Sequence, residues 1–237
     1  MNNTLSFVVR GKYALFTDPA SKTGGDKSSY PVPTYEALKG VIKSVYWKPT
    51  LIWIVKRVRI LNPIRMESKS IKPRKMSGGN TLAYYSYLAD VAYQVEVQFV
   101  WNTTPLAGKY AKDRIDGKHY QIAQRMIEKG GRRDVFLGTR ECQAYVEPCR
   151  FGEGPGYYDG KGVRPFGIMF HSFAYPSETG IDELRTQFWN AEMRDGVIEF
   201  PLPEACDPAM SRFIRKMKAV LPESCGLNEE TLRNELD

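Results

Sequence analysis

Several residue types and patterns are scarce in this 237-residue chain, beginning with histidine, of which it has two, His119 and His171. Its four cysteines, Cys142, Cys149, Cys206 and Cys225, form no C-x-x-C pair and are too few for a disulfide framework in a chain this long. Reduced thiols are therefore expected. A zinc site would have to combine Cys142, Cys149 and His171 at unfamiliar spacing, so no metal is expected. No apolar run approaches the ~20 residues of a membrane-spanning helix. The stretch Met1–Ser6 lacks the positive region and apolar run of a secretory leader, and the chain reads as soluble and cytoplasmic. A phosphate-cradling Walker loop, a Gly-x-Ser-x-Gly elbow and paired carboxylates at telling spacing are also missing, and no cofactor is expected.

Positive charge is present in excess. Lys and Arg outnumber Asp and Glu by 34 to 27, a formal net charge of +7. The excess is concentrated in residues 56–75, where Lys56, Arg57, Arg59, Arg65, Lys69, Lys72, Arg74 and Lys75 face one acid, Glu67. Such a run is often only a solvated face, but this imbalance favours a polyanionic partner, nucleic acid before membrane. Tyr84-Tyr85-Ser86-Tyr87 follows closely. Cations beside flat rings suit a phosphate backbone and unpaired bases.

Hydrophobic periodicity orders the chain. Leu5, Phe7, Val9, Tyr13 and Leu15 fall on odd positions, with Ser6, Arg10 and Lys12 between them, as in a half-buried strand. A long loop, 17–33, precedes a helix capped by Thr34 with Leu38, Val41, Ile42 and Val45 on one face, and Pro49 stops it just after Tyr46. Leu51–Leu61 and Val91–Trp101 read as strands, with 64–90 as the connection between them. A second helix is expected to start with Asp116 as its cap and to run to about Lys129, with Ile122, Ala123, Met126 and Ile127 buried. Strand Val135–Leu137 and Ala144-Tyr145-Val146 come next. The order β-α-β-β-α-β is that of the α+β ferredoxin-like (RRM-like) fold. A Gly-rich stretch after Arg150 predicts a boundary, giving residues 1–150 as a ferredoxin-like domain and 151–237 as a smaller C-terminal antiparallel β-sheet domain. Within the second, Phe166–Tyr175 is a strand carrying a structural His171, Arg194-Asp195-Gly196 is a hairpin turn, and Pro208–Val220 is a basic helix.

His119 lies beside Lys118 and Tyr120 near a helix start and can exchange a proton near neutral pH. Spacing alone favours a packing role, because Ile122 and Ala123 stand three and four residues on. In a basic RRM-like domain, however, one histidine, one cation and one hydroxyl suffice for metal-independent RNA cleavage, since the RNA's own 2′-hydroxyl is the nucleophile. His119 would move the proton, Lys118 offset phosphate charge, and Tyr46 orient the reacting oxygen.

Four stretches carry a family resemblance: Arg10-Gly11, Pro33–Gly40 leading to Tyr46, Lys118-His119-Tyr120, and Leu137-Gly138-Thr139-Arg140-Glu141-Cys142. In these the chain resembles the CRISPR-associated Cas-five family, subtype I-C, of the RAMP superfamily. The resemblance implies an endoribonuclease that cuts CRISPR repeat RNA near the base of its stem-loop without metal, leaving a 2′,3′-cyclic phosphate. It implies catalysis by Tyr46, Lys118 and His119, and retention on the crRNA 5′ handle within a type I-C Cascade-like complex. Weak DNA binding is left open by the sequence, and no membrane partner is expected. RNA contacts are expected from Arg10, Lys56, Arg57, Lys69, Lys72, Arg74, Lys75, Arg132, Arg133 and Arg140. The competing reading is a non-catalytic scaffold on the 5′ handle.

Overall fold

The computed structural model describes residues 3–18 and 25–219. Its elements in chain order are β1 (Thr4–Ala14), β2 (Lys27–Ser28), α1 (Tyr35–Val45), β3 (Leu51–Ile60), β4 (Met66–Ile71), β5 (Ala83–Trp101), α2 (Pro105–Gly108), α3 (Lys118–Glu128), β6 (Val135–Phe136) and β7 (Gln143–Pro148). They continue with β8 (Val163–Ala174), α4 (Pro176–Thr179), β9 (Glu183–Arg194), β10 (Val197–Glu199) and β11 (Arg212–Lys216). The architecture is α+β and mostly antiparallel. None of the described helices is long and apolar enough to cross a membrane.

The central strands lie in the order β3-β5-β1-β7, all antiparallel. With α1 between β1 and β3, and α3 between β5 and β7, this is the ferredoxin-like arrangement that the sequence pattern predicts. Leu5, Phe7 and Val9 of β1 and Val95, Val97 and Phe99 of β5 turn to the core, where Leu38, Val41, Ile42 and Val45 of α1 and Ala123 and Ile127 of α3 meet them. Period 2 in the strands and period 3.6 in the helices thus bury one shared face. Thr34 caps α1 as expected, its Oγ1 accepting from the Ala37 amide at 3.2 Å.

Two expectations are corrected, and two connections gain strands. Residues 64–90 carry β4, which pairs with the first half of β5, a single 19-residue strand, in register from Met66↔Leu88 to Ile71↔Ala83. Alternation of buried Ala83, Tyr85 and Tyr87 with exposed Tyr84 draws that half into the sheet. Asp116 does not cap α3. Gly117 is the cap, at φ 78°, a left-handed conformation that suits glycine. The long 17–33 loop contributes β2, parallel to β5 at Tyr85 and Ser86. Finally, Pro208–Met210 is a 3-10 turn and Arg212–Lys216 is an exposed strand on β9, where a basic helix was expected; Val220 and Cys225 lie outside the described residues. A β9 edge offers Arg212, Phe213, Arg215 and Lys216 sheet partners, which outweighs a helical pattern with Pro at its start.

The hairpin turn at Asp195-Gly196 is present, with φ 46° and 81°. Strand β10 joins β3, so sheet pairing continues from the first part of the chain into residues after Arg150. Beyond β7 the Gly-rich stretch folds back over Arg59. Its guanidinium binds the carboxylate of Asp159, the side chain of Gln94 and the carbonyl of Gly154.

Candidate active site

Tyr46 is positioned by the end of α1. Its amide donates to the carbonyl of Ile42, its carbonyl accepts from Nε1 of fully buried Trp53 at 2.8 Å, and its backbone turns extended, at φ −156°. The chain after α3 returns to the same place. Gly130 and Gly131, both at positive φ, let the amides of Arg132 and Arg133 bind the carbonyls of Val45 and Ser44. This ties the end of α1 to the end of α3, and α3 is itself held by Ala123 and Ile127 in the core.

That construction brings residues 73 positions apart into contact: the hydroxyl of Tyr46 lies 2.7 Å from Nδ1 of His119. Nε2 of His119 lies 2.7 Å from the carbonyl oxygen of Asp113 and 3.3 Å from its Oδ2. Both of those groups only accept, so in neutral His119 the hydrogen is on Nε2 and Nδ1 accepts from Tyr46. Lys118, the first residue of α3, places Nζ 2.6 Å from Oδ1 of the same Asp113. The ring of Trp101 meets His119 edge-on, with centroids 5.5 Å apart. Burial, reinforced by the Asp113 carboxylate, raises the Tyr46 phenol above its ordinary value, an effect that Arg132 opposes.

The expected trio therefore meets, but not in a solvent-reachable cleft. His119 is 0% exposed and Tyr46 3%, whereas Lys118 is partly exposed. Asp113 is the member that sequence reasoning missed. It sits in a 3-10 turn, Ala111–Asp113, with no periodic signal. The one available cue was electrostatic: α3 has no acid in its first turn and starts with a lysine, an unfavourable charge at the positive end of a helix that calls for an anion from elsewhere.

The basic residues separate into groups. Lys69, Lys72, Arg74 and Lys75 lie on the β4–β5 hairpin and the loop at its tip, with Lys69 Nζ 3.3 Å from the centre of the Tyr13 ring. Arg132 and Arg133 are exposed beside Tyr46. Arg57 makes a two-pronged ion pair with Glu96, at 2.9 and 3.1 Å, and stacks on Phe151, while part of its side chain stays exposed. Lys56 is exposed at a register shift in β3. Arg10 is exposed on β1 opposite Tyr145 of β7, and Arg140 lies over the Phe136 ring. His171 is structural: it is fully buried, stacked on Tyr35 at 4.3 Å, and has its imidazole lowered by burial to about 4.

Known proteins bear on this geometry. The Cas5d model, described as CRISPR-associated protein (Cas_Cas5), matches residues 4–201. The chain is 29% identical to the CRISPR pre-crRNA endoribonuclease Cas5d of Thermus thermophilus over 83% of this chain and 91% of that one. It is 26% identical to the protein of the same name from Mannheimia succiniciproducens, over 85% and 96% respectively. Among solved structures, a CRISPR-associated protein superposes with a TM-score of 0.70 at 38% identity, over 86% of this chain and 94% of that one. SMU1763c of Streptococcus mutans, described as functionally uncharacterized, superposes at 0.68 and 37%, over 86% and 95%. The match over most of its length, on a ferredoxin-like core, shows that this chain belongs to the Cas5d family of CRISPR-associated proteins.

Proposed function

We propose that this chain is a metal-independent endoribonuclease for precursor CRISPR RNA, with Tyr46, Lys118 and His119 as its catalytic residues. The observation that carries the reading is the 2.7 Å contact between Tyr46 and Nδ1 of His119, with Lys118 adjacent. Two relatives named for this activity support it. A phenol raised by burial stays protonated at neutral pH, so the acceptor is His119 and Tyr46 passes the proton. The ribose 2′-hydroxyl gives its proton to the Tyr46 oxygen as that oxygen gives its own to Nδ1. The 2′-oxygen attacks phosphorus, the P–O5′ bond breaks, the 5′-oxygen leaves with that electron pair and takes up a proton from water, and a 2′,3′-cyclic phosphate remains. Lys118 offsets the charge gathering on the phosphate.

RNA would approach along the cations of the β4–β5 hairpin and Arg132 and Arg133, with Lys56, Arg57, Arg10 and Arg140 as further contacts. We assign residues 1–150 to cleavage and RNA binding and 151–237 to the smaller sheet lobe. The cut product stays on the chain by its 5′ handle, as a subunit of a type I-C interference complex. The test is end-labelled repeat RNA incubated in EDTA with wild-type protein and with His119→Ala. Cutting by the first alone, abolished by a 2′-deoxy nucleotide at the scissile position, is the expected result. Loss of cutting in EDTA, or full cutting by His119→Ala, overturns it.

One observation favours a second reading. A histidine at 0% exposure touches no RNA in this conformation, as in a scaffold that only holds the 5′ handle. Tight repeat-RNA binding by the wild-type chain without any cutting would decide for the scaffold.

A further inference from the structure

Both nitrogens of His119 are occupied by the protein itself. Tyr46 takes Nδ1, while Asp113 closes Nε2 with its carbonyl and with Oδ2. The second carboxylate oxygen, Oδ1, holds Lys118 Nζ at 2.6 Å. One carboxylate thus spans the two donors that head α3, at the positive end of an 11-residue helix. Two donors arranged to take two oxygens of one anion form an oxyanion seat, and a phosphodiester offers the same pair of oxygens.

From this geometry we infer that Asp113 is a built-in stand-in for the RNA phosphate, and that the 103–117 connection is a latch that RNA displaces before cleavage. The inference rests on the reading of Tyr46, Lys118 and His119 as the cleavage centre. It names how that centre is regulated.

The connection is constructed to move as a piece. Because the Asp113 carbonyl also caps Nε2, rotating the side chain alone would not uncover His119. At one end Asn102 is anchored, its side chain donating to the carbonyls of Pro49 and Ser177 at 3.2 Å. At the other end is Gly117, at φ 78° with open space where a Cβ would stand, which gives a hinge at the first turn of α3. Between them the regular structure amounts to a four-residue helix and a three-residue 3-10 turn, short pieces of the kind that open locally at low cost. Arg114 bonds the Asn102 carbonyl at 2.6 Å, yet its Nε is buried without a partner, a desolvation penalty of the closed state that opening would relieve.

The two histidines supply an internal reference, since both are fully buried. Diethyl pyrocarbonate modifies accessible imidazoles, and peptide mass assigns each site. In the wild-type chain both should react slowly. In Asp113→Asn, which keeps shape and drops charge, and in Asp113→Ala, His119 should react about two- to fivefold faster relative to His171, with the chain still folded by thermal melting. Cutting of sub-saturating repeat RNA should rise about two- to fivefold, the worth of one lost ion pair. A wild-type ratio of the two modification rates in both folded variants, or slower cutting by them, overturns the latch. Faster His119 modification with no cutting by any form sinks the cleavage reading and leaves the latch standing. Hydrogen exchange on the wild-type chain tests the latch without substitution. Amides 107–116 should exchange faster than amides 120–127, and equal protection would overturn the inference.

Discussion

The hydroxyl of Tyr46, just past the end of one helix, and Nδ1 of His119, at the start of another, share a 2.7 Å hydrogen bond across 73 residues of sequence. In Tyr46→Phe the ring keeps its packing against the imidazole, 6.1 Å between centroids, but the hydroxyl at Nδ1 is lost. That leaves a buried acceptor unsatisfied, at a cost of about 1–3 kcal/mol. It also removes the proton path, so single-turnover cleavage should fall about 100-fold or more. Urea unfolding and cleavage at saturating RNA measure the two losses separately. A Tyr46→Phe chain that is less stable but cuts at the wild-type rate would make the contact structural.

How far the sequence led can be judged at particular residues. Alternation marked the core positions Leu5, Phe7, Val9, Val95, Val97 and Phe99, although Val8, Ala92 and Gln94 between the marked positions are buried too, and Thr34 and Asp195-Gly196 marked a cap and a turn, because each signal is local and physical. The meeting of Tyr46 with His119 was not legible in spacing, which favoured a packing histidine; family resemblance supplied it. Asp113 left no pattern, since its contact arises from an irregular turn. At Arg212–Lys216 the helical spacing was real, but an open sheet edge prevailed over it. Arg57 and Arg59 looked like their cationic neighbours and are engaged in ion pairs with Glu96 and Asp159, which only the fold could reveal.

His171 makes stability depend on pH. Its pKa is lowered by burial from 6.5 to about 4, so the folded chain binds this proton less readily than the unfolded chain does. The stability it protects is fully present above pH 6.5 and is lost progressively as pH falls toward 4, on the order of 3 kcal/mol in all. Urea midpoints at pH 7.5 and 5 should show the decline in wild-type protein and a smaller one in His171→Gln. Equal declines in the two would remove His171 as the cause.

Gly138 belongs to the Leu137–Cys142 string and stands where no side chain fits. Its φ is 95°, and a Cβ would lie 2.0 Å from the carbonyl oxygen of Leu15. The adjacent Leu15 amide is bound to the Leu137 carbonyl at 2.9 Å, so the two segments cannot part without losing that bond. Gly138→Ala should cost about 3–5 kcal/mol. At Gly117, also at positive φ but facing open space, alanine should cost only the backbone strain, about 1–2 kcal/mol. Thermal melting of the two variants distinguishes a steric requirement from a conformational one, and equal losses would refute the distinction.

Lys72, Arg74 and Lys75 are exposed at the tip of the β4–β5 hairpin, where a charge change disturbs little of the fold. If they meet RNA phosphates, replacing all three by glutamate should weaken repeat-RNA binding at low salt and leave melting unchanged. Each lost phosphate contact on a single strand should reduce the slope of log affinity against log salt by about 0.7, so the triple variant should be flatter by about 2. Arg59→Glu is the contrast: it buries a carboxylate in place of the guanidinium and sets it against Asp159, so it should destabilise the chain before it informs on RNA. Unchanged affinity and slope in the folded triple variant would remove the hairpin from the RNA path and shift it toward Arg132 and Arg133, which flank Tyr46.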